Sequence, residues 1–507
     1  MCNIYVIKII DKYILLKIVA IFSAKKWGIT PLQRRIIHQP CSVIDRSCLF
    51  MLRPLDRWGC KLMDTEEKID SDVIVVGGGA AGLMAVGRAG ELGAKVILLE
   101  KTESCGKKIL VSGKTRCNLT NSAELKNFIS MYGENGRFLF SAFHNFFRPE
   151  LLDFFDNHGL ATKVERGGRL FPVSDDAHDV VRVFKKYLAE NKVQIKLNTE
   201  VTGITIQDNA VCGVKTQNGN YLCKAVILAT GGATWPSTGS TGDGYKISVA
   251  LGHKIVKLKP ALVPLIVKEQ KLAQSMQGVS LRNVRATAFQ GEAALIDSTL
   301  TPDYSYGRGE KKSPRSPVIE SRFGEMLFTH FGLGGPIILL MSLSVVEALQ
   351  KGLVSILIDL KPALTREQLH KRLQKDLDKS SKKKISSIMK EYLPAKMIEP
   401  FIELTGIDNE KLAHQITASE REKVVELLKA FRFNIKSTLP LEKAIVTAGG
   451  VSLDEIDQRT MASKLIRGLY FCGEVMDIDA DTGGYNLQAA FSTGYLAGEK
   501  AAEYVNK

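Results

Sequence analysis

Thirty residues, DVIVVGGGAAGLMAVGRAGELGAKVILLEK from Asp72 to Lys101, constrain this chain more than any other stretch. The apolar run Val73 to Val76 predicts a buried strand, Leu83, Val86 and Leu92 recur along one helical face, and a second apolar run ends at Glu100. The spacing therefore predicts strand, glycine turn, helix, strand. Each glycine has a mechanical reason: Gly77 permits the tight turn, Gly79 lets backbone approach a pyrophosphate, and Gly82 lets the helix lie close to the strand. The helix N-terminus then offers unpaired N–H groups and a positive dipole end to phosphates. Glu100, eighteen residues past Gly82, can accept hydrogen bonds from ribose hydroxyls and would repel a 2′-phosphate. A bare GxGxxG is also read by any glycine-rich turn; two strands, a helix and an acid around it point to an adenine dinucleotide.

With 507 residues, 45% of them hydrophobic, the chain has room for two or three globular domains. Its nine cysteines form no CxxC pair and no zinc or iron–sulfur spacing, which predicts free thiols in a reducing cytoplasm and no metal site. The net charge of +15 is uneven, because residues 1–62 hold eleven basic and three acidic residues. In that region Tyr13 to Phe22 is apolar but short and broken by Lys17, below the ~20 residues of a membrane span. Asp11 before it and the lack of a clear small-residue cleavage site argue against a signal peptide. Residues 1–68 are expected to be a poorly ordered extension, with a membrane-associating arm as the minority alternative and no stable membrane insertion.

The chain divides by pattern. Residues 69–258 are expected to form the first part of a nucleotide-binding domain, with the basic, amide-rich loop Gly106 to Asn121 able to direct backbone N–H groups and Arg116 at phosphates or a ring edge. Residues 259–363 turn β-rich and include a flexible segment, Pro302 to Pro317; residues 364–438 read as a helical subdomain. Between Arg366 and Lys396 lie ten basic and four acidic residues, a solvated helical face or a patch for RNA. Residues 439–507 return to the first domain, ending in a glycine turn and a long helix. Only one dinucleotide fingerprint is present, so the tightly held cofactor is expected to be FAD, with NAD(P)H a transient electron donor.

Six segments in order, GGGAAGLMAV, GKKILVSGKTRCNLTN, GGRLFPVSDDAHDVV, ATGGATWPSTGSTGDGY, GEMLFTHFGLGGP and TAGGV followed by GLYFCGEVMDIDADTGGYNLQAAFSTG, resemble the HI0933-like, or BaiN-like, family of FAD-dependent oxidoreductases from Asp72 to Val505. One departure is visible: Lys114 and Thr115 stand where the family usually has glycines. The resemblance implies an α/β fold with a glutathione-reductase-like, FAD-binding Rossmann domain split in sequence, an inserted β-barrel-like domain and a small helical subdomain. It assigns the pyrophosphate to Gly77, Gly79, Ala81 and Gly82, the adenosine ribose to Glu100, and adenine to the backbone of Val201. Gly473 and Glu474 would meet the ribityl-pyrophosphate part, Asn486 and Leu487 the flavin pyrimidine, and Ala80, Lys101, Arg116 and Asn118 complete the cofactor-binding set.

The resemblance also implies reduction of a C=C bond conjugated to a carbonyl, on a 3-oxo-Δ4/Δ6 steroid or bile-acid substrate. The first alternative is a dihydrouridine synthase acting on ribosomal RNA, and the second a flavin-binding regulatory protein without catalysis. Hydride transfer to the β-carbon leaves an enolate oxygen that needs a donor. His330, in the turn Thr329 to Pro336, and Tyr245 are the catalytic candidates; each also reads as a structural residue. Arg169 is a weaker candidate, and Cys117 has no partner cysteine nearby.

Overall fold

The computed structural model describes residues 69–297 and 317–507. The expected N-terminal extension and nearly all of the expected flexible segment after Pro302 lie outside those residues.

Val73 to Val76 and Val96 to Leu99 are almost wholly buried, as strands covered on both faces must be. They form β1 (Ser71–Val76) and β2 (Val96–Leu99), parallel and joined by α1 (Ala80–Glu91), with Val73 opposite Val96 and Val76 opposite Leu99. After a short helix α2 (Lys107–Val111), the strands β3 (Thr120–Asn121), β4 (Thr162–Glu165) and β5 (Arg169–Pro172) make a small antiparallel sheet with β5 in its centre. Helix α3 (Ala177–Glu190) leads to β6 (Gln194–Lys196), parallel to β2. Then β7 (Val201–Gln207), β8 (Ala210–Thr216) and β9 (Gly219–Leu228) run as an antiparallel meander, and the second half of β9 lies parallel to β1.

The next segment leaves this sheet. β10 (Ile255–Ala261) leads into a closed barrel of β11 (Leu265–Val267), β12 (Ser280–Gln290), β13 (Val318–Phe328), β14 (Gly332–Gly334), β15 (Val354–Asp359) and β16 (Phe431–Thr438), in the order β11-β14-β13-β12-β15-β16. Helix α4 (Pro336–Leu349) packs on it. Between β15 and β16 come α5 (Arg366–Lys379), α6 (Ala395–Thr405) and α7 (Ala418–Lys429), whose buried Leu369, Leu373, Phe401 and Leu428 share one core with the barrel's Phe431 and Phe433. The helices thus interrupt the barrel, and residues 431–438, expected within the helical subdomain, are its last strand. Their alternation, FRFNIKST with every second residue buried up to Ile435, is that of a half-buried strand.

The chain then returns. β17 (Val446–Val451) pairs with β10, β18 (Leu469–Phe471) joins the first sheet beside β9, and α8 (Tyr485–Val505) packs along α1. On α8, Gly494 and Gly498 approach α1 so closely that a Cβ would meet the carbonyl oxygens of Ala81 and Ala85 at 2.3 and 2.2 Å. The fold is therefore α/β, with a Rossmann-type domain split in sequence around a barrel. Among the described residues, no helix is long and apolar enough to cross a membrane.

One buried polar cluster ties the return path to the sheet. His253 Nδ1 lies 3.1 Å from Glu455 Oε2, its Nε2 lies 3.0 Å from Ser463 Oγ, and its ring meets Phe471 edge-on. Burial holds its pKa below the usual histidine value, against the opposing hydrogen bond and charge of Glu455. Because the unfolded chain binds the proton more readily, this residue's contribution is complete above about pH 6.5 and is lost as pH falls below it. Thermal unfolding should therefore show a lower Tm at pH 5.5 than at pH 7.5, and His253→Gln should narrow that difference; an equal pH dependence in the variant excludes His253 as a contributor.

Candidate functional site

A cavity of about 860 Å³ runs from the β1–α1 turn to the start of α8, with walls from the Rossmann-type domain, the barrel strand β13 and α4. At one end Gly79 precedes α1 with no side-chain cap, and a Cβ on it would meet nothing within 4 Å. Uncapped N–H groups therefore face open space, the arrangement that receives a phosphate. Gly82 is different: a Cβ there would lie 1.9 Å from the Gly77 carbonyl oxygen. Glu100 is buried, its Oε2 accepting from Gly78 N at 2.7 Å and its Oε1 from Thr102 N at 2.8 Å, which fixes the carboxylate while leaving lone pairs for hydroxyl donors. Val201 lines the wall at the start of β7.

Other expected cofactor residues are present in the wall with their charges already matched. Lys101 pairs with Asp243 at 2.5 Å, Lys108 with Glu474 at 2.6 Å, and Arg116 with Glu165 at 2.8 Å and Asp175 at 3.2 Å, its guanidinium lying over the Phe171 ring. Glu474 also accepts from Thr447 N at 2.9 Å, so it braces the loop after β18. Asn486 is occupied as well: its Oδ1 accepts from Ala480 N and its Nδ2 donates to Ala480 O, both at 2.9 Å. What it leaves for a ligand is the backbone of the α8 N-terminus, which follows Gly484 without a side-chain cap. Leu487 lines the cavity beside it.

The loop from Ser112 to Asn118 carries strain. Lys114, Thr115 and Cys117 have φ of 58°, 68° and 61°, so two side chains sit in left-handed backbone at the positions where the sequence departs from glycine. Cys117 is wholly buried and its thiol is pushed up to about 12, which keeps it protonated and unreactive. The five cysteines among the described residues are all unpaired. Asn118 Oδ1 and Thr230 Oγ1 are buried, lie on cavity-lining residues and have no hydrogen-bond partner. Orphaned polar atoms, uncapped helix ends and a fixed acid together fit an extended dinucleotide carrying a polar ring, such as FAD.

The two catalytic candidates are placed elsewhere. His330 is exposed in the β13–β14 turn, its ring edge-on to Phe331, and is not among the cavity-lining residues. Tyr245 is buried, also outside the lining, and donates to Glu474 O at 3.2 Å; burial and the Glu474 charge push its pKa up. Arg169, the weaker candidate, does line the cavity. Among the described residues no carboxylate pairs with it or with Lys114. Its strand neighbour Asn121 donates to Gly483 O at 2.9 Å, and its charge acts on Tyr485, so it lies at the α8 end. Sequence reading passed over Trp235, exposed in the wall in left-handed backbone, with no pattern around it that marks either property.

A model of the HI0933-like protein Rossmann domain matches residues 71–500. A 3-dehydro-bile acid delta(4,6)-reductase from Clostridium scindens is 32% identical over 432 residues, covering 85% of this chain and 98% of the relative. A ribosomal RNA dihydrouridine synthase from Escherichia coli is 28% identical, covering 84% and 97%. Among solved structures, a 3-ketosteroid-delta4-(5alpha)-dehydrogenase from Rhodococcus jostii is 14% identical with a TM-score of 0.40, covering 87% and 98%.

Proposed function

The chain belongs to the HI0933-like family of FAD-dependent oxidoreductases, and we propose that it reduces a C=C bond conjugated to a carbonyl, on a 3-oxo steroid or bile-acid-type substrate, with NADH or NADPH as donor. One observation carries the reading: a dinucleotide cradle opens, at the α8 end, onto a single arginine with no carboxylate partner among the described residues. Bound FAD would supply hydride chemistry there. The α1 N-terminus and Gly79 would hold the pyrophosphate, Glu100 the ribose, Val201 the adenine through its backbone, and the α8 amides an anionic ring edge. Arg169 would donate N–H groups to the carbonyl oxygen as negative charge gathers on it while the β-carbon takes hydride and the α-carbon takes a proton from solvent water. A guanidinium stays protonated throughout, so it acts by hydrogen bonding and charge and gives up no proton.

The test is anaerobic stopped-flow absorbance on the FAD-loaded full chain, reduced with NADH or NADPH and then mixed with a 3-oxo-Δ4 steroid. Reoxidation well above the enone-free rate is expected; no acceleration by the enone overturns the reading.

A second reading, dihydrouridine formation in ribosomal RNA, is favoured by α5. Leu369, Leu373 and Leu377 are buried on one face, while Lys371, Lys375 and Lys379 repeat every fourth residue on an exposed one, followed by exposed Lys382 and Lys383. Such a stripe suits a phosphate backbone. Ribosomal RNA as the oxidant in the same assay, with affinity falling steeply as salt rises, would establish it.

A further inference from the structure

Four cavity-lining side chains are large, apolar and open to solvent: Val111, Trp235, Leu327 and Ile445, each 37–46% exposed. They come from separate segments that hydrogen bonds and packing draw together. Thr234 Oγ1 accepts from Lys108 Nζ at 3.2 Å on one side and meets Ile445 O at 3.4 Å on the other, while Trp235 N donates to Glu442 O at 3.3 Å. Val111 stands three residues along α2 from Lys108, Ile445 N donates to Leu262 O, and Leu262 packs with Leu339 of α4. Leu327 closes the far side at the end of β13, where the turn residue Gly335 approaches its backbone nitrogen. Scattered exposed hydrophobic residues need no explanation, but four on the rim of one cavity mark a place where apolar matter docks. Trp235 strengthens the case. Its φ of 54° and ψ of 63° are a conformation that bulky residues avoid, so the surrounding loop holds the backbone at this position at a cost.

We propose that this rim docks the apolar ring skeleton of the substrate, with Trp235 stacking on its flat face, and that it selects rigid polycyclic enones over small ones. The proposal rests on the enone-reductase reading and names the subsite that reading lacks. Lys108, hydrogen-bonded to Thr234 beside Trp235, is already neutralised by Glu474, so the four apolar side chains set the preference of this rim. A saturated or unsaturated polycycle would bury itself against Trp235 and Ile445 while its carbonyl end reaches the interior.

The full FAD-loaded chain is compared with Trp235→Ala and Ile445→Ser, using a 3-oxo-Δ4 steroid and 2-cyclohexenone as acceptors. The steroid-over-cyclohexenone ratio of kcat/KM is expected to fall roughly tenfold in Trp235→Ala and less in Ile445→Ser. A second readout needs no turnover: steroid added to the oxidised protein should quench indole fluorescence in the wild type and not in Trp235→Phe, since Trp27 and Trp58 are common to both. If the wild type reduces the steroid and both variants keep its selectivity, the rim proposal falls and the enone reading stands. If the wild type reduces no enone, the enone reading falls; a quench that vanishes in Trp235→Phe then still upholds the platform, and absence of any quench overturns it.

Discussion

An Arg169→Met protein is expected to keep FAD and its reduction by the nicotinamide nucleotide, and to pass hydride to the enone about 10²–10³ times more slowly than the wild type. The split follows from position. Arg169 stands in the cavity wall at the α8 end, away from the pyrophosphate turn, and no carboxylate among the described residues draws on its charge. Removing it should leave the half-reaction that loads electrons and cripple the one in which charge builds on a substrate oxygen. Arg116→Met is the matched control, because that guanidinium is already shared by Glu165 and Asp175 and should matter far less to the second step. Arg169→Lys should recover part of the loss, since a point charge survives without the planar fork. Wild-type reoxidation kinetics in Arg169→Met would remove this residue from the mechanism.

Gly82→Ala should be the most damaging single methyl in the molecule's nucleotide half. Its Cβ would stand 1.9 Å from the Gly77 carbonyl oxygen and 3.2 Å from the Ala229 Cβ, and neither α1 nor β1 can retreat, because both are buried in the sheet and against α8. A destabilisation of about 3 kcal/mol or more is expected, with loss of FAD on desalting. Gly79→Ala supplies the contrast. It meets no protein atom within 4 Å, so it should unfold at nearly the wild-type temperature yet bind FAD more weakly, the methyl occupying ligand space. Equal thermal stability of Gly82→Ala and the wild type would refute the steric argument.

These two sites also show what a sequence discloses. The β1–α1–β2 unit is legible because its determinants, glycine spacing, apolar runs and one acid, lie within thirty residues of each other. Arg169 and His330 could not be ranked that way, since which of them faces the cavity depends on Arg169's strand pairing with Asn121, whose side chain reaches Gly483 in the closing half, and on how the β13–β14 turn sits in the barrel. The resemblance places Asn486 beside the ring; its side chain ties down Ala480, and that bond between residues of one loop leaves the backbone of the helix start for a ligand. Strand β16 is hidden because a run of helices precedes it and sets the local composition. Trp235 had no sequence signature at all, as its exposure is a property of the assembled wall.

The embrace of α1 by α8 has a temporal side. About 390 residues separate the end of α1 from the start of α8. At the usual ~5–20 residues per second of synthesis, the first helix waits roughly 20–80 s for the partner that covers it. During that interval Ala81 and Ala85 lack the close neighbours that Gly494 and Gly498 provide, while the barrel can already close on its own contacts. A growing chain should therefore be most vulnerable to proteases and aggregation in its oldest part, and a stop codon that deletes only the last helix should cost the whole nucleotide half.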